Sequence, residues 1–158
     1  MRPLALVSAL ALAGCDLFGP GRVRHAAVVE VAVERLPLDA RWDGGFWAPD
    51  DAPDVYLDLK AKDDGRLAFG PRYVWRSDVH ENLGALPLRV RPDGEARVAL
   101  ADTVWLNVVD RDNVGDDLMF TTGDFTFADH ADGVEPGDTG TLAFGDSLSA
   151  VRLTVRWE

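Results

Sequence analysis

Cysteine is nearly absent: of 158 residues only Cys15 carries a thiol, so no disulfide can form within the chain. Basic residues are also scarce, with 16 Lys and Arg against 27 Asp and Glu, a formal charge of −11, and no stripe of positive charge interrupts the acidic surface. Such a surface repels nucleic acid and bare anionic lipid, so any approach to phosphates requires a cation in between. Long apolar runs are missing too. The longest, Leu4 to Ala13 behind Arg2, is broken only by Ser8, and as a helix it would rise about 15 Å, half of a hydrocarbon core roughly 30 Å thick. Histidine is limited to His25, His80 and His130, set far apart among polar neighbours; that spacing excludes a zinc site and marks them as surface residues. Convincing helical stripes, internal repeats and a second domain are all lacking, so stability rests on one hydrophobic core, with or without a metal.

The short apolar run has the form of a secretory h-region, and it ends in Leu12-Ala13-Gly14-Cys15. That tetrapeptide resembles the bacterial lipobox, in which the thiol is alkylated by diacylglycerol and the preceding peptide bond is cut. The resemblance implies a signal peptide over residues 1–14, a lipidated Cys15 with palmitate-type acyl chains, and a short tether over 15–25 containing Gly19-Pro20-Gly21. The expected place is the bacterial cell envelope, with the chain held to a membrane by two or three acyl chains at about 0.8 kcal/mol per buried methylene. Loss of Arg2 would bring the charge to 15 − 27 = −12.

Residues 26–158 read as one β domain. Period-two alternation sets Val29, Val31 and Val33 against Glu30, Ala32 and Glu34, and Val55, Leu57 and Leu59 against Tyr56, Asp58 and Lys60. It returns at Tyr73 and Trp75, Leu86 to Val90, Val98 and Leu100, Val104 to Val108, Phe125 and Phe127, Leu142 and Phe144, and Val151 to Trp157. Turn-rich spacers such as Arg91-Pro92-Asp93-Gly94 and Glu135-Pro136-Gly137-Asp138 separate these runs. About eight strands so arranged predict an all-β, antiparallel eight-stranded β-sandwich.

Two loops are crowded with carboxylates. One runs from Trp42 to Asp54 and includes Asp43, Asp50 and Asp51; the other follows Val109 as Asp110-Arg111-Asp112-Asn113-Val114-Gly115-Asp116-Asp117. Converging carboxylates repel by about 4 kcal/mol per pair at 4 Å and an effective dielectric near 20. A hard divalent cation relieves that repulsion, and Ca2+ accepts the Asp, carbonyl and water oxygens that loops supply. Aspartate is also a common turn former for backbone reasons alone, so each residue taken singly points to a turn. An EF-hand is excluded: Asp110, Asp112 and Gly115 fit its positions one, three and six, but Val114 and Thr121 occupy ligand positions and the flanks are strands.

Pro53-Asp54-Val55-Tyr56-Leu57 resembles the Ser-Asp-Pro-Tyr-Val segment that opens the second strand of the C-two (C2) domain, the calcium-dependent lipid-binding module of protein kinase C and synaptotagmin. Val108-Val109-Asp110-Arg111-Asp112, followed by Asp116-Asp117-Leu118-Met119, resembles that family's third calcium loop. The resemblance spans roughly residues 27 to 157 and implies a Greek-key sandwich binding one or two Ca2+ ions. Its loop-one ligands fall on Asp54 and Asp43, with Asp50 or Asp51 as replacements for Asp43 in a loop that is longer than usual. Its loop-three ligands fall on Asp110, Asp112 and either Asp116 or Asp117. Departures are Val55 where proline is common, Phe120 where glycine follows, and a missing Asn-Pro-x-Trp signature. The family's apolar loop tips, which enter lipid, correspond to Phe46, Trp47 and Val114; the alternative is that Phe46 and Trp47 fold back on the sandwich edge.

Phe144-Gly145-Asp146-Ser147-Leu148-Ser149 reproduces the nucleophile block of the GDSL esterases, but no Asp-x-x-His follows, so the serine lacks its base and a turn between strands explains the block better. Asp129 to Asp138 reads as a solvated acidic loop. The sequence therefore implies a non-enzymatic binding module whose partners are the membrane, through its anchor, and a phospholipid or envelope protein, through the calcium loops. A calcium-independent structural or protein-interaction sandwich is the alternative.

Overall fold

The computed structural model describes residues 22–38, 52–62, 71–94, 96–112 and 115–158. Ten strands follow in chain order: β1 His25–Arg35, β2 Val55–Ala61, β3 Arg72–Arg76, β4 Leu88–Val90, β5 Ala96–Ala99, β6 Thr103–Asp110, β7 Asp117–Thr121, β8 Phe125–Thr126, β9 Thr139–Gly145 and β10 Ala150–Trp157. A short 3-10 turn, Ala128–His130, lies between β8 and β9. All strand pairs within the two sheets are antiparallel.

One sheet runs β4-β1-β10-β9 with β5 also on β1, and the other runs β3-β2-β6-β7 with β8 also on β6. Strand β4 covers Val31 to Val33 of β1 while β5 covers His25 to Val28, so the two share one edge position of the sheet. Strands β7 and β8 divide the flank of β6 in the same way. The ten segments thus fill eight positions, four per sheet, which is the eight-stranded sandwich implied by the alternation. Turn residues such as Pro92 and Gly94 break the edge strands without breaking the sheet.

The core lies between the sheets. Val31, Val33, Val151, Leu153 and Val155 face Val55, Leu57, Leu59, Val104, Leu106 and Val108, all at most 1 % exposed. Each such side chain contributes roughly 1.5–3 kcal/mol through burial. Fully buried Phe127 closes one part of this layer, edge-on to Phe125 at 5.3 Å and to Trp157 at 6.3 Å between ring centroids.

The alternation misplaces Val29. In β1 the pairing with β10 slips between Val28 and Glu30, so one extra residue is accommodated and the inward set is Ala26 and Val28 before the slip, Val31 and Val33 after it. Because side chains alternate with period two, one inserted residue reverses the facing of all that precede it. Strand β2 departs from the half-buried pattern as well: Tyr56 and Asp58, on its outer face, are also buried.

Candidate functional site

The two acidic loops meet because of register. Strands β2 and β6 are neighbours with Val55 opposite Asp110, so the start of one and the end of the other lie at the same end of the sheet. Asp117, first residue of β7, lies opposite Asp110 on the other side. The junction is tied by main-chain groups: Asp54 N–H donates to Asp110 Oδ1 at 2.9 Å, and Arg111 N–H donates to the Asp54 carbonyl at 2.8 Å. Asp110 is fully buried.

A third segment, between β3 and β4, joins this end, although no run of aspartates marks it in the sequence. His80 forms a two-way backbone bridge with Val55, Leu83 N–H donates to the Pro53 carbonyl at 2.8 Å, and Asn82 N–H donates to Asp54 Oδ1 at 2.7 Å. Asn82 has φ +52°, a left-handed conformation that asparagine tolerates better than most residues. Asn82-Leu83-Gly84 was the available signal for a tight turn here.

Asp116 is held from the side. Tyr56, on the outer face of β2, donates its hydroxyl to Asp116 Oδ2 at 2.7 Å. Burial, and then this hydrogen bond, push the Tyr56 hydroxyl well above the usual tyrosine range, so it remains a donor. Tyr56 is in turn covered by the Arg76 guanidinium, 4.7 Å from its ring centre. Arg76 reaches buried Asp58 with Nε at 2.5 Å and Nη2 at 2.8 Å. A single chain of contacts therefore links the third loop to the outer face of the sheet.

Among the sequence-predicted ligands, the structure brings Asp54, Asp110 and Asp117 to one end of the sandwich and anchors Asp116 beside them. Asp112 follows two residues beyond β6 and is half-buried. Asp54, Asp116 and Asp117 have no ion pair among the described residues. Also among the described residues, no three His, Cys, Asp or Glu side chains are grouped closely enough to hold a metal ion. Cys15, Asp43, Phe46, Trp47, Asp50, Asp51 and Val114 lie outside the described residues.

The remaining sequence candidates separate cleanly. Gly145-Asp146-Ser147 is the turn between β9 and β10: Asp146 Oδ1 accepts the backbone N–H groups of Leu148 and Ser149, each at 2.8 Å. These donors hold the Asp146 carboxyl below its usual range. His25 lies 3.2 Å from Arg97 through Nδ1. His80, expected at the surface, is instead half-buried with Nε2 shut off from solvent, because its backbone pairs into the sheet. No described helix is long and apolar enough to cross a membrane.

No family model matches the sequence, and neither does any curated protein. Solved structures do match. Human GIVD cytosolic phospholipase A2, in complex with methyl gamma-linolenyl fluorophosphonate, superposes with TM-score 0.51 at 15% identity over 87% of this chain and 18% of that one. The C2 domain lettered A of plant Extended Synaptotagmin 1 gives TM-score 0.49 at 12% identity, covering 86% of this chain and 93% of that one. A C2 domain protein from Ramazzottius varieornatus gives 0.44 at 15% identity, covering 88% and 91%. The fold is C2-like. At these identities the likeness concerns the fold alone, and the C2-like sandwich has to be assigned its chemistry from its own residues.

Proposed function

We propose that this C2-like sandwich is a non-enzymatic binding module, carried on a bacterial membrane through lipidated Cys15, whose acidic loop end takes Ca2+. The observation that carries the reading is the hydrogen bond from Asp54 N–H to Asp110 Oδ1. It joins the two segments whose aspartates were proposed as ligands, although 56 residues separate them. Asp54, Asp110, Asp112, Asp116 and Asp117 would hold the ion, with Asp43 completing the set. The ion would offset the repulsion among these carboxylates and present a positive charge to a phosphate or carboxylate on a phospholipid or an envelope protein. Because the anchor already supplies membrane residence, the charged end is free to meet a second surface.

One observation favours a second reading. Asp54 accepts from Asn82, Asp110 from Asp54 and Asp116 from Tyr56, so protein donors already hold three of these carboxylates. On that reading the loop end is a calcium-independent interaction surface.

Thermal melting of the full chain carrying Cys15→Ser, in excess calcium and then in chelator, separates the two. Calcium at 100 times its dissociation constant adds about 2.7 kcal/mol, an upward shift of several degrees. Asp117→Asn, at an exposed position, should reduce the shift without lowering the melting temperature in chelator. Identical melts in calcium and chelator would establish the calcium-independent reading.

A further inference from the structure

Strand β9, Thr139–Gly145, forms one side of its sheet: it pairs with β10 along its whole length without a register shift, and among the described residues no strand lies beyond it. In an antiparallel ladder successive residues turn their main-chain groups to alternate sides. Hydrogen bonds at both ends of the hairpin fix the phase: Trp157 N–H donates to the Asp138 carbonyl at 2.9 Å, and Asp146 N–H donates to the Ser149 carbonyl at 2.8 Å. Gly140, Leu142 and Phe144 therefore bond to β10, while Thr139, Thr141 and Ala143 direct their N–H and C=O groups away from the sheet. The side chains of these three residues are exposed as well.

Open strand edges are ordinarily guarded by charge, proline, a bulge or brevity. The other edges here carry such guards. Strand β3 begins and ends with arginine and pairs with a register shift, β4 and β5 have three and four residues with one arginine each, β7 pairs with a shift, and β8 has two residues. Strand β9 has seven residues, Thr-Gly-Thr-Leu-Ala-Phe-Gly, with no charge, no proline and no shift. Its surroundings are neutral too: on the adjacent strand Arg152 pairs with Glu34, and Arg156 with Glu158. The carboxylates that bracket it are turned to their own chain, Asp138 accepting from Glu135 N–H and Asp146 from the N–H groups of Leu148 and Ser149.

We infer that the free edge of β9 is a docking surface for a second copy of this chain, the two β9 strands pairing antiparallel across a two-fold axis. A symmetric contact requires a self-complementary strand. With a formal charge of −11 the chain repels its copy over most of its surface, and β9 is a stretch where that repulsion is absent. In the register centred on Thr141, Thr139 meets Ala143 of the second copy and Thr141 meets Thr141, so no charged pair is opposed. Asp138 then lies opposite Phe144, and Asp146 opposite Pro136. The three outward residues of each copy form about six main-chain hydrogen bonds and join two four-position sheets into one. The contact is independent of calcium and of the reading given to the loop end.

The test is sedimentation velocity of the full chain carrying Cys15→Ser, which removes the one thiol and with it any disulfide-linked dimer. A species of twice the chain's mass that reverts to monomer on dilution is the expected result. Thr141→Lys and Thr141→Glu should each be monomeric where the parent is dimeric, because each sets like charges against one another at the axis. Their equimolar mixture should recover the dimer, which shows that both variants fold and that the contact is β9 on β9. Amide exchange in the parent reads the same contact without a substitution at β9: the Thr141 and Ala143 N–H groups should exchange slowly at dimer-forming concentration and severalfold faster on dilution, while Leu142, bonded to β10, stays slow in both. A dimer indifferent to the Thr141 substitutions would overturn the proposal, since another surface, such as the apolar residues 4–13, would then hold it. Concentration-independent exchange at Thr141 and Ala143 would overturn it too. A parent chain that is monomeric throughout would do the same and leave the edge to an extended segment of a different protein.

Discussion

Removing the Arg76 side chain should destabilise this protein more than any ordinary surface truncation. Asp58 is 1 % exposed and receives Nε and Nη2 of Arg76 at 2.5 and 2.8 Å, with Lys60 Nζ more distant at 3.3 Å. In Arg76→Ala the carboxylate stays buried with Lys60 as its remaining cation. Breaking a buried pair by deleting one member costs about 3–5 kcal/mol. The Arg76 side chain is itself 48% exposed, so water can reach the vacated position and the low end, about 3 kcal/mol, applies. Loss of its stacking on Tyr56 at 4.7 Å and Tyr73 at 4.9 Å adds roughly 0.5 kcal/mol each at so exposed a site. The sum, about 4 kcal/mol, corresponds to a fall in melting temperature of more than 10 °C for a domain of this size. Urea unfolding of wild type, Arg76→Ala, Asp58→Asn and the double variant forms the cycle that isolates the pair. With the charge on residue 58 removed, Arg76→Ala should cost only the stacking, about 1 kcal/mol, giving a coupling near 3 kcal/mol. An equal cost of Arg76→Ala in both backgrounds would refute the reasoning, since the ion pair would then contribute nothing of its own.

Two further outcomes follow from the β9–β10 turn. A Cβ on Gly145 would lie 2.3 Å from the Ser149 carbonyl oxygen and 2.9 Å from the Ala150 Cα, with φ at +156°, so Gly145→Ala should force the hairpin open and lower the urea midpoint by the equivalent of about 2 kcal/mol or more; an unchanged midpoint would contradict it. The Asp146 carboxyl titrates below its unfolded value because Ser149 and Leu148 N–H groups stabilise the ionised form. Its contribution is therefore complete above the unfolded value near pH 4 and is lost as pH falls through the folded one. The melting-temperature gap between wild type and Asp146→Asn should be constant from about pH 8 to 5 and narrow below about pH 4, with little dependence on salt because the donors are backbone amides; a gap that widens on acidification would rule out this cause.

Much of the sandwich was legible in the order of residues. Val151, Leu153, Val155 and Trp157 alternate with Arg152, Thr154 and Arg156, and burial follows that alternation throughout β10. Gly145-Asp146-Ser147 was readable as a turn because aspartate bonds the backbone amides just beyond it. Other features were not legible. The slip between Val28 and Glu30 leaves no mark in a run of valines, since either phase buries apolar side chains. Asp58 looked like a solvent-facing residue of a half-buried strand, but it is buried, with Arg76 and Lys60 reaching over that face to pair with it. His80 looked exposed because its neighbours Val79, Glu81 and Asn82 give no hint that its backbone pairs with Val55.

By itself, the sequence determined the class of structure and the sign of its surface. Alternation at period two, frequent turn residues and an excess of carboxylates are local or additive properties, and they hold whatever the strand order. Only the tertiary structure decided which residues share an end. Asp54, Asn82 and Asp110 come together because β2 pairs with β6 in one register and because the β3–β4 connection returns to the same edge. Such pairing is a contest among long-range alternatives, settled by the burial of both sheets at once, and no short stretch of sequence carries its outcome.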